Sequence, residues 1–228
     1  MASGAALDAT PNGDNMSETI LYDYWRSSAS YRVRIALNMT GISYRSVSVD
    51  LVRGAQKLPE HLARNPQGFV PVLDIDGQQF TQSLAILEYL DTTRGLGLLP
   101  TAPAPRAKAQ ALAQAIAVDL HPVCNLHVVK AVAGLMQNRE GIREEWMGRF
   151  IRPGLQAFEI MLGGFAQAPF CTGDTPGLAD LCLIPQLYNA DRWGVGYSNL
   201  PRILAVRDAC AEIPAFADAH PDLVKPDS

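Results

Sequence analysis

The most restrictive feature of the sequence is a change of pattern near residue 95. Before it, strand-like and helix-like segments alternate, and after it nearly every apolar-periodic segment is helix-like. The two regimes are separated by GLGLLPTAPAP at 95–105, which contains too much Gly and Pro to continue either periodic structure. The pattern predicts an α/β domain at 18–94, a linker at 95–105 and an all-helical domain at 106–228, after a flexible tail at 1–17.

The order of elements in the first domain predicts a compact α/β unit. A helix that ends before Gly41 connects two strands, and such a crossover makes the strands parallel. Asp76-Gly77 is a strong hairpin signal between two further strands. The predicted elements are strand 19–24, the helix before Gly41, strand 44–49, helix 58–64, the hairpin at Asp76-Gly77 and a helix capped by Ser83. Helices of the second domain are predicted at 106–120, 143–162, 178–188 and 201–211.

The composition limits the kinds of molecule to which the protein is expected to bind and the compartment in which it is expected to act. The 228 residues have a formal net charge of −4, which argues against a nucleic-acid or anionic-membrane surface. No apolar run reaches the roughly 18 residues of a membrane span, and the first residues show no import signal. The four cysteines are scattered without a CxxC pair, which is typical of a reducing cytosol. We therefore expect a cytoplasmic protein with no nucleic-acid and no membrane partner.

The segment WRSSAS at 25–30 occupies the corner between the first strand and the first helix. Backbone N–H groups at such a corner are unpaired and lie at the positive end of the helix dipole, so the corner suits an anion. The segment has no glycine and no Lys-Ser/Thr pair, which excludes a phosphate-binding P-loop, and the GxSxG elbow of a nucleophilic serine is absent. The remaining interpretation is a hydroxyl that donates to an external anion such as a cofactor thiolate. The alternative is that Ser28 or Ser30 is only a helix N-cap.

Two other features lie in the same domain. A cis Val70-Pro71 bond would leave the backbone of Val70 free to pair with an extended peptide, although a trans proline is the commoner case. Gln82 and Ser83 begin a helix, where the Ser83 hydroxyl and N–H would receive a carboxylate, unless Ser83 is only a cap. Sites for a thiolate, a peptide backbone and a carboxylate match the cysteine, the main chain and the γ-glutamyl end of glutathione.

Four longer stretches show a specific resemblance that runs from Ile20 to Pro226. They are SSASYRVRIAL, NPQGFVPVLDIDG, QSLAILEYL and GDTPGLADLCLIPQLYNADRWGV. The chain resembles the zeta class of glutathione transferases, which comprises maleylacetoacetate isomerases and their maleylpyruvate isomerase relatives. The resemblance implies a thioredoxin-like N-terminal domain with a cis-proline, an all-helical C-terminal domain and a homodimer.

The resemblance also implies a set of site residues. Ser27 is expected to hold the glutathione thiol as a thiolate with support from Ser28, and Arg26 and Arg192 are expected to receive the carboxylates of a diacid substrate. The implied glutathione-binding residues are Ser27, Ser28, Gln56, Val70, Gln82, Ser83, His121, Asn125 and His127. The implied reaction is cis–trans isomerisation of a maleyl diacid by reversible addition of the thiolate, with glutathione as the cofactor.

The energetic demand on this site is modest. A free thiol has a pKa near 8.5, and lowering it by two units requires about 2.7 kcal/mol. One hydrogen bond to a charged acceptor, at about 1.5 to 3 kcal/mol, together with a helix terminus is sufficient.

Two positions depart from the family pattern. Ala29 replaces the family's signature cysteine, which removes cysteine-dependent redox chemistry, and Gly177 replaces a capping threonine that would pair with Asp180.

Other functions are weighed against the isomerase. His121, Cys124 and His127 have the spacing of one helix face, but zinc would need a fourth ligand and tighter convergence, so we predict no metal site. A disulfide reductase would need the cysteine that Ala29 replaces. The alternatives that stay open are a broad-specificity transferase or haloacid-dechlorinating enzyme that uses the same thiolate, and a non-catalytic glutathione-binding protein.

Overall fold

The computed structural model describes residues 18–166 and 168–226. Four strands form one sheet in the order β2-β1-β3-β4. Strand β1 (Ile20–Asp23) runs parallel to β2 (Arg45–Ser48) and antiparallel to β3 (Val72–Ile75), which forms a hairpin with β4 (Gln78–Thr81). The predicted parallel pair and hairpin are therefore confirmed, and the predicted flexible tail lies outside the described residues.

Three helices cover this sheet, and their first turns differ from the sequence prediction. They are α1 (Ser28–Thr40), α2 (Pro59–Arg64) and α3 (Ser83–Arg94). The N-cap of α1 is Ser27, whose Oγ accepts a hydrogen bond from Ser30 N at 3.2 Å, so the assignment of the cap to Ser28 or Ser30 is wrong. Ser83 is the first residue of α3 rather than its cap, because the preceding residue already occupies the N-cap position without a side-chain bond.

The remaining regular elements of the described chain are all helical. After a 3₁₀ turn in the first domain (Ala55–Lys57), the further elements are α4 (Pro103–Gln114), a π-helical turn (Ala115–Leu120), α5 (His121–Val123), α6 (Leu126–Leu135), α7 (Ile142–Leu162), α8 (Leu178–Arg192), α9 (Pro201–Ala211) and α10 (Pro214–Ala217). Helix α8 begins at its N-cap Gly177, whose N–H donates to Asp180 Oδ2 at 2.8 Å. The hydrogen bond that Asp180 contributes to the capping box is thus present, as predicted.

The segment between the two parts is shorter than the predicted linker. Helix α3 ends at Gly95 in the left-handed conformation, and α4 begins at Pro103, three residues before the predicted start, because proline is tolerated in a first helical turn. Leu98 is buried in the core, its N–H donates to Asp91 Oδ1 at 3.0 Å, and its carbonyl accepts from Leu178 N at 2.8 Å. The connection is therefore anchored to the helical part at its centre.

Helix α1 joins the two parts. It packs on α3 on one side and on α8 and α10 on the other, and its apolar residues belong to the same buried cluster as those of the helices. Arg34 of α1 donates to both Asp23 carboxylate oxygens (3.0 and 2.7 Å) and to the carbonyl of Ala219 (3.1 Å). Asn38 donates to the carbonyl of Ala215 at 3.1 Å. The C-terminal segment is thus held directly against the N-terminal domain.

The stretch Pro103–Leu135 has the length and apolar composition that a membrane span would need. The chain leaves helical geometry within it, because Asn125 is extended with φ −70° and ψ 148°. Leu112, Ala113 and Ile116 of this stretch are fully buried among the other helices. We therefore describe it as the successive helices α4 to α6, which contribute buried residues to the core of the helical part.

Candidate active site

A cavity of about 490 Å³ opens between the sheet domain and helices α5, α6 and α8. The predicted site residues that line it are Arg26, Ser27, Ser28, Gln56, Val70, His121, Asn125, His127 and Arg192. Among its described lining residues there is no acidic side chain, although the whole chain is net negative. The basic lining residues are Arg26, Lys57, Lys130, Arg143 and Arg192. A cavity with this charge suits an anionic ligand.

The serine corner places a hydroxyl and a helix terminus on the cavity wall. Ser27 is extended, with φ −71° and ψ 119°, and it lies at the positive end of the 13-residue helix α1. Its Oγ accepts from Ser30 N, so the hydroxyl hydrogen remains to be donated to a ligand. Ser28 Oγ instead donates to the carbonyl of Pro185 at 3.4 Å, which ties the corner to α8. The geometry thus favours Ser27 over Ser28 as the donor to a bound thiolate.

The proline corner lies across the cavity. The Val70-Pro71 peptide is cis, as predicted, and the paired region of β3 begins only at Val72. Val70 therefore lines the cavity at a point where its peptide groups take no part in the sheet register. Gln56 faces the same space, and its buried Oε1 has no partner among the described residues. These groups fit the extended main chain of a short peptide.

The start of α3 lies beyond the end of this cavity. Gln82 and Ser83 are not among its lining residues, but Gln82 Nε2 donates to Gln67 Oε1 at 2.7 Å, and the adjacent Gly68 lines the cavity. Gln82 has φ +66° and ψ 109°, an uncommon conformation for a residue with a side chain. Ser83 Oγ accepts from Arg32 Nη1 at 3.2 Å. The helix terminus and this hydroxyl form a place for a carboxylate.

The helical part contributes polar groups opposite the serine corner. Burial, together with the neighbouring Arg32 and His127, lowers the pKa of His121 to about 3, so this imidazole is neutral at physiological pH. The ring of His127 lies 5.2 Å from that of Phe69 on the other side of the cavity. His121, Asn125 and His127 follow the π-helical turn, a kind of distortion that is frequent at functional sites.

Two arginines face the space beside Ser27. Arg26 stacks 4.7 Å from the centre of the Trp25 ring, and its Nη2 donates to Tyr24 Oη at 2.9 Å. Partial burial and the nearby charge of Arg26 lower the pKa of Arg192. Two cations that repel each other across a cavity are stabilised by a dianion placed between them. The structure thus brings the two predicted carboxylate receptors together.

The cysteines do not form a redox site. All four are buried and free, and burial raises the pKa of Cys124 to about 12. Ala29 occupies the corner where a redox cysteine would lie. In the part of the chain that the structure describes, no group of three or more His, Cys, Asp or Glu side chains is arranged to hold a metal ion.

Some relevant residues escaped the sequence interpretation. Lys57, Lys130 and Arg143 line the cavity. From the sequence alone, each would be taken for an ordinary solvent-exposed side chain. Arg32 behind Ser83 was also missed. Its signal was the pair of arginines in RVRIAL, because residues two positions apart lie on opposite sides of a helix, and a helix that packs on both sides must bury at least one of them.

A serine at the N-terminus of α1, a cis-proline corner and a serine at the start of α3, all on one thioredoxin-like domain next to a helical domain, are typical of the class of glutathione-binding transferases. The N-terminal domain family of glutathione S-transferases matches residues 17–92. A maleylacetoacetate isomerase of Rhizobium meliloti (strain 1021) is 59% identical over 92% of this chain and 99% of its own length. The chain belongs to the maleylacetoacetate isomerase family, within the zeta class of glutathione transferases.

Solved structures agree with this assignment. The holo structure of a maleylpyruvate isomerase, described as a bacterial glutathione S-transferase in zeta class, superposes with a TM-score of 0.87 at 35% identity, over 92% of this chain and all of that one. A maleylacetoacetate isomerase from Anaeromyxobacter dehalogenans 2CP-1, with dicarboxyethyl glutathione and citrate in its active site, gives a TM-score of 0.79 at 38% identity. That alignment covers 91% of this chain and 96% of that one.

Proposed function

We propose that this protein is a glutathione-dependent cis–trans isomerase of a maleyl diacid. One observation carries the proposal: the Ser27 corner and two arginines, Arg26 and Arg192, line the same cavity, and the two guanidinium groups are close enough to interact electrostatically. The related isomerase with bound dicarboxyethyl glutathione supports it, because that ligand joins glutathione to a dicarboxylic acid.

Glutathione supplies a thiolate that adds reversibly to the substrate's carbon–carbon double bond and so permits rotation about it. The Ser27 hydroxyl donates to the sulfur and, together with the N-terminus of α1, favours its ionised form. No general base is needed to create a nucleophile on the protein itself. The neutral His121 can donate or accept a hydrogen bond in the site without adding charge.

The charges of the cavity fit the proposed reactants. Glutathione has two carboxylates and one ammonium group at neutral pH, and a diacid adds two further negative charges. Arg26 and Arg192 would each pair with one carboxylate of the diacid through a guanidinium fork. Lys130 and Arg143 lie further along the same cavity and increase its positive potential. The arginines would hold the two carboxylates while the bond between them rotates.

The test is the loss of absorbance when the protein is mixed with maleylacetone or maleylpyruvate, with and without glutathione. Turnover that requires glutathione and produces the fumaryl isomer is the expected result. A protein that binds glutathione but converts neither diacid would show the isomerase proposal to be wrong. The broad-specificity transferase or haloacid-dechlorinating enzyme would then be the first alternative, because it needs the thiolate site without the arginine pair.

We also propose a cellular location, a metabolic role and an oligomeric state for the protein. The protein acts in the cytoplasm, which the four free and buried cysteines support. It serves the catabolism of aromatic compounds, where ring cleavage generates maleyl diacids. It forms a homodimer, for which exposed alanines such as Ala107 and Ala111 on α4 offer a surface of small side chains. Light scattering coupled to size-exclusion chromatography would measure the mass against the 24.7 kDa of one chain.

A further inference from the structure

Arg32 is a buried cation with few partners. Only 1% of its surface is exposed, and its one hydrogen bond to a described residue runs from Nη1 to Ser83 Oγ at 3.2 Å. Its Nε and Nη2 atoms are buried and have no partner among the described residues. Arg34, two positions along the same helix, is paired in the way that is usual for a buried arginine. Its guanidinium donates hydrogen bonds to Asp23 and to two backbone carbonyls. Among the residues that the structure describes, none is such a counter-ion for Arg32.

The groups around Arg32 do not neutralise it. The guanidinium lies close enough to His121 and Cys182 to lower the pKa of both side chains. Both groups are uncharged at physiological pH, since burial lowers the pKa of His121 and raises that of Cys182. In the described part of the chain, no Asp or Glu forms an ion pair with Arg32. A buried charge in this condition is costly unless an anion approaches it from outside the chain.

Ser83 is the route by which an external anion can meet this charge. Since its Oγ accepts from Arg32, the hydroxyl has its own hydrogen left to donate. Ser83 is 6% exposed, it is the first residue of the 12-residue helix α3, and it follows the exposed Gln82. A carboxylate bound to this hydroxyl and to the helix N-terminus would place an oxygen roughly 6 Å from the Arg32 guanidinium. The guanidinium thus polarises the hydroxyl toward an acceptor.

We propose that Arg32 is a positioning residue for the ligand's γ-glutamyl carboxylate. It acts through Ser83 and receives from that carboxylate the counter-charge that the described residues do not provide. This inference rests on the proposed function in that it takes glutathione as the ligand. It adds that the site distinguishes a carboxylate from a neutral group by a buried charge rather than by surface residues alone.

The experiment compares two ligands by isothermal titration calorimetry. One is glutathione, and the other is 4-aminobutanoyl-cysteinyl-glycine, which is glutathione with the γ-glutamyl carboxylate replaced by hydrogen. Each is titrated into the wild type, Arg32→Met and Arg32→Lys. Wild type should bind glutathione about tenfold to a hundredfold more tightly than the analogue, as expected for a charge at this distance in a protein medium. Arg32→Met should abolish most of that preference and leave the affinity for the analogue unchanged, and Arg32→Lys should restore part of it.

Two controls separate positioning from a general structural effect. Lys108→Met removes a positive charge from an exposed position on α4 and should keep the wild-type preference. Thermal unfolding without ligand should show Arg32→Met to be at least as stable as the wild type, because removing an unpaired buried charge is neutral or stabilising. A merely structural arginine would instead lower the unfolding temperature and weaken both ligands equally.

The outcomes are distinct from those of the isomerase assay, because the titration requires no turnover. If wild type prefers glutathione and Arg32→Met keeps the full preference, the role of Arg32 is refuted while the isomerase proposal stands. If the wild type binds glutathione but isomerises nothing, the proposed reaction fails and the titration still decides the role of Arg32. A wild type that binds glutathione and the analogue equally would overturn the inference directly.

Discussion

Replacement of Ser27 by alanine removes one hydroxyl with two separate tasks. In the free protein, Ser27 Oγ caps α1 by accepting from Ser30 N at 3.2 Å. Loss of this cap should cost about 1 kcal/mol of stability, which corresponds to a decrease of about 2 to 4 °C in the unfolding temperature for a chain of this size. With glutathione bound, the same hydroxyl is expected to donate to the thiolate.

The effect on the thiolate is larger and depends on pH. A bond to a charged acceptor contributes about 1.5 to 3 kcal/mol, so its loss should raise the pKa of the bound thiol by about 1 to 2 units. If the wild-type site lowers this pKa from about 8.5 to about 6.5, then about three quarters of the bound sulfur is ionised at pH 7. In Ser27→Ala the ionised fraction should fall about 3- to 25-fold at pH 7 and recover above pH 9.

The assay is the pH dependence of kcat, together with ultraviolet absorbance of the bound thiolate, in wild type, Ser27→Ala and Ser30→Ala. Ser30 is the matched control, because its buried Oγ has no partner among the described residues. Its variant should keep the wild-type profile. An unchanged thiol pKa in Ser27→Ala would falsify the argument, whatever the loss of stability, and a uniform loss of activity at every pH would show that the hydroxyl does not act on ionisation.

The remaining predictions concern charge. Arg192→Met should raise KM for the diacid by at least tenfold with little change in glutathione affinity, because its partner Arg26 alone then holds the substrate; steady-state kinetics with each reactant varied in turn would measure this. Asp23→Asn should destabilise the fold by about 3 to 5 kcal/mol, since it leaves the buried Arg34 charge without its counter-ion, and urea denaturation would show a lower midpoint. The folded-state pKa of His121 is about 3, below the ordinary value of 6.5, so the unfolded chain binds the extra proton first as the pH falls. This histidine should therefore reduce stability progressively from about pH 6.5 toward pH 3, and His121→Gln should flatten that part of the stability profile measured by thermal unfolding.

Much of the fold follows from local patterns. The Asp76-Gly77 turn, with both residues at positive φ, and the stop at Gly41 are decided by backbone sterics within a few residues, so both could be predicted. Helices α7 and α9 agree with their predicted bounds to within one residue, because α7 has a continuous apolar period and α9 begins at a proline, which is favoured in a first helical turn. Helix α6 was not predicted as a separate helix, and it begins only after the extended Asn125.

The site was harder to predict than the fold. Which of the serines at 27, 28 and 30 caps α1 depends on where the helix begins. Boundaries of that kind shift by one or two residues without any change in periodicity. The contrast between Arg32 and Arg34 cannot be read from RVRIAL, since both arginines are buried and only the tertiary structure supplies Asp23 and Ala219 to one of them. The roles of Ser27 and Ser83 in binding stay predictions that the titrations above would test.

The bonds between α1 and the C-terminal segment have a consequence for synthesis of the chain. Arg34 and Asn38 donate to the carbonyls of Ala219 and Ala215, which follow their donors by 185 and 177 residues in the sequence. During translation, the helix that has Ser27 as its N-cap is therefore made long before the residues that accept these hydrogen bonds. The ligand-binding corner should therefore mature late, and a prematurely terminated product would expose the polar side of α1 to the cell's quality-control machinery.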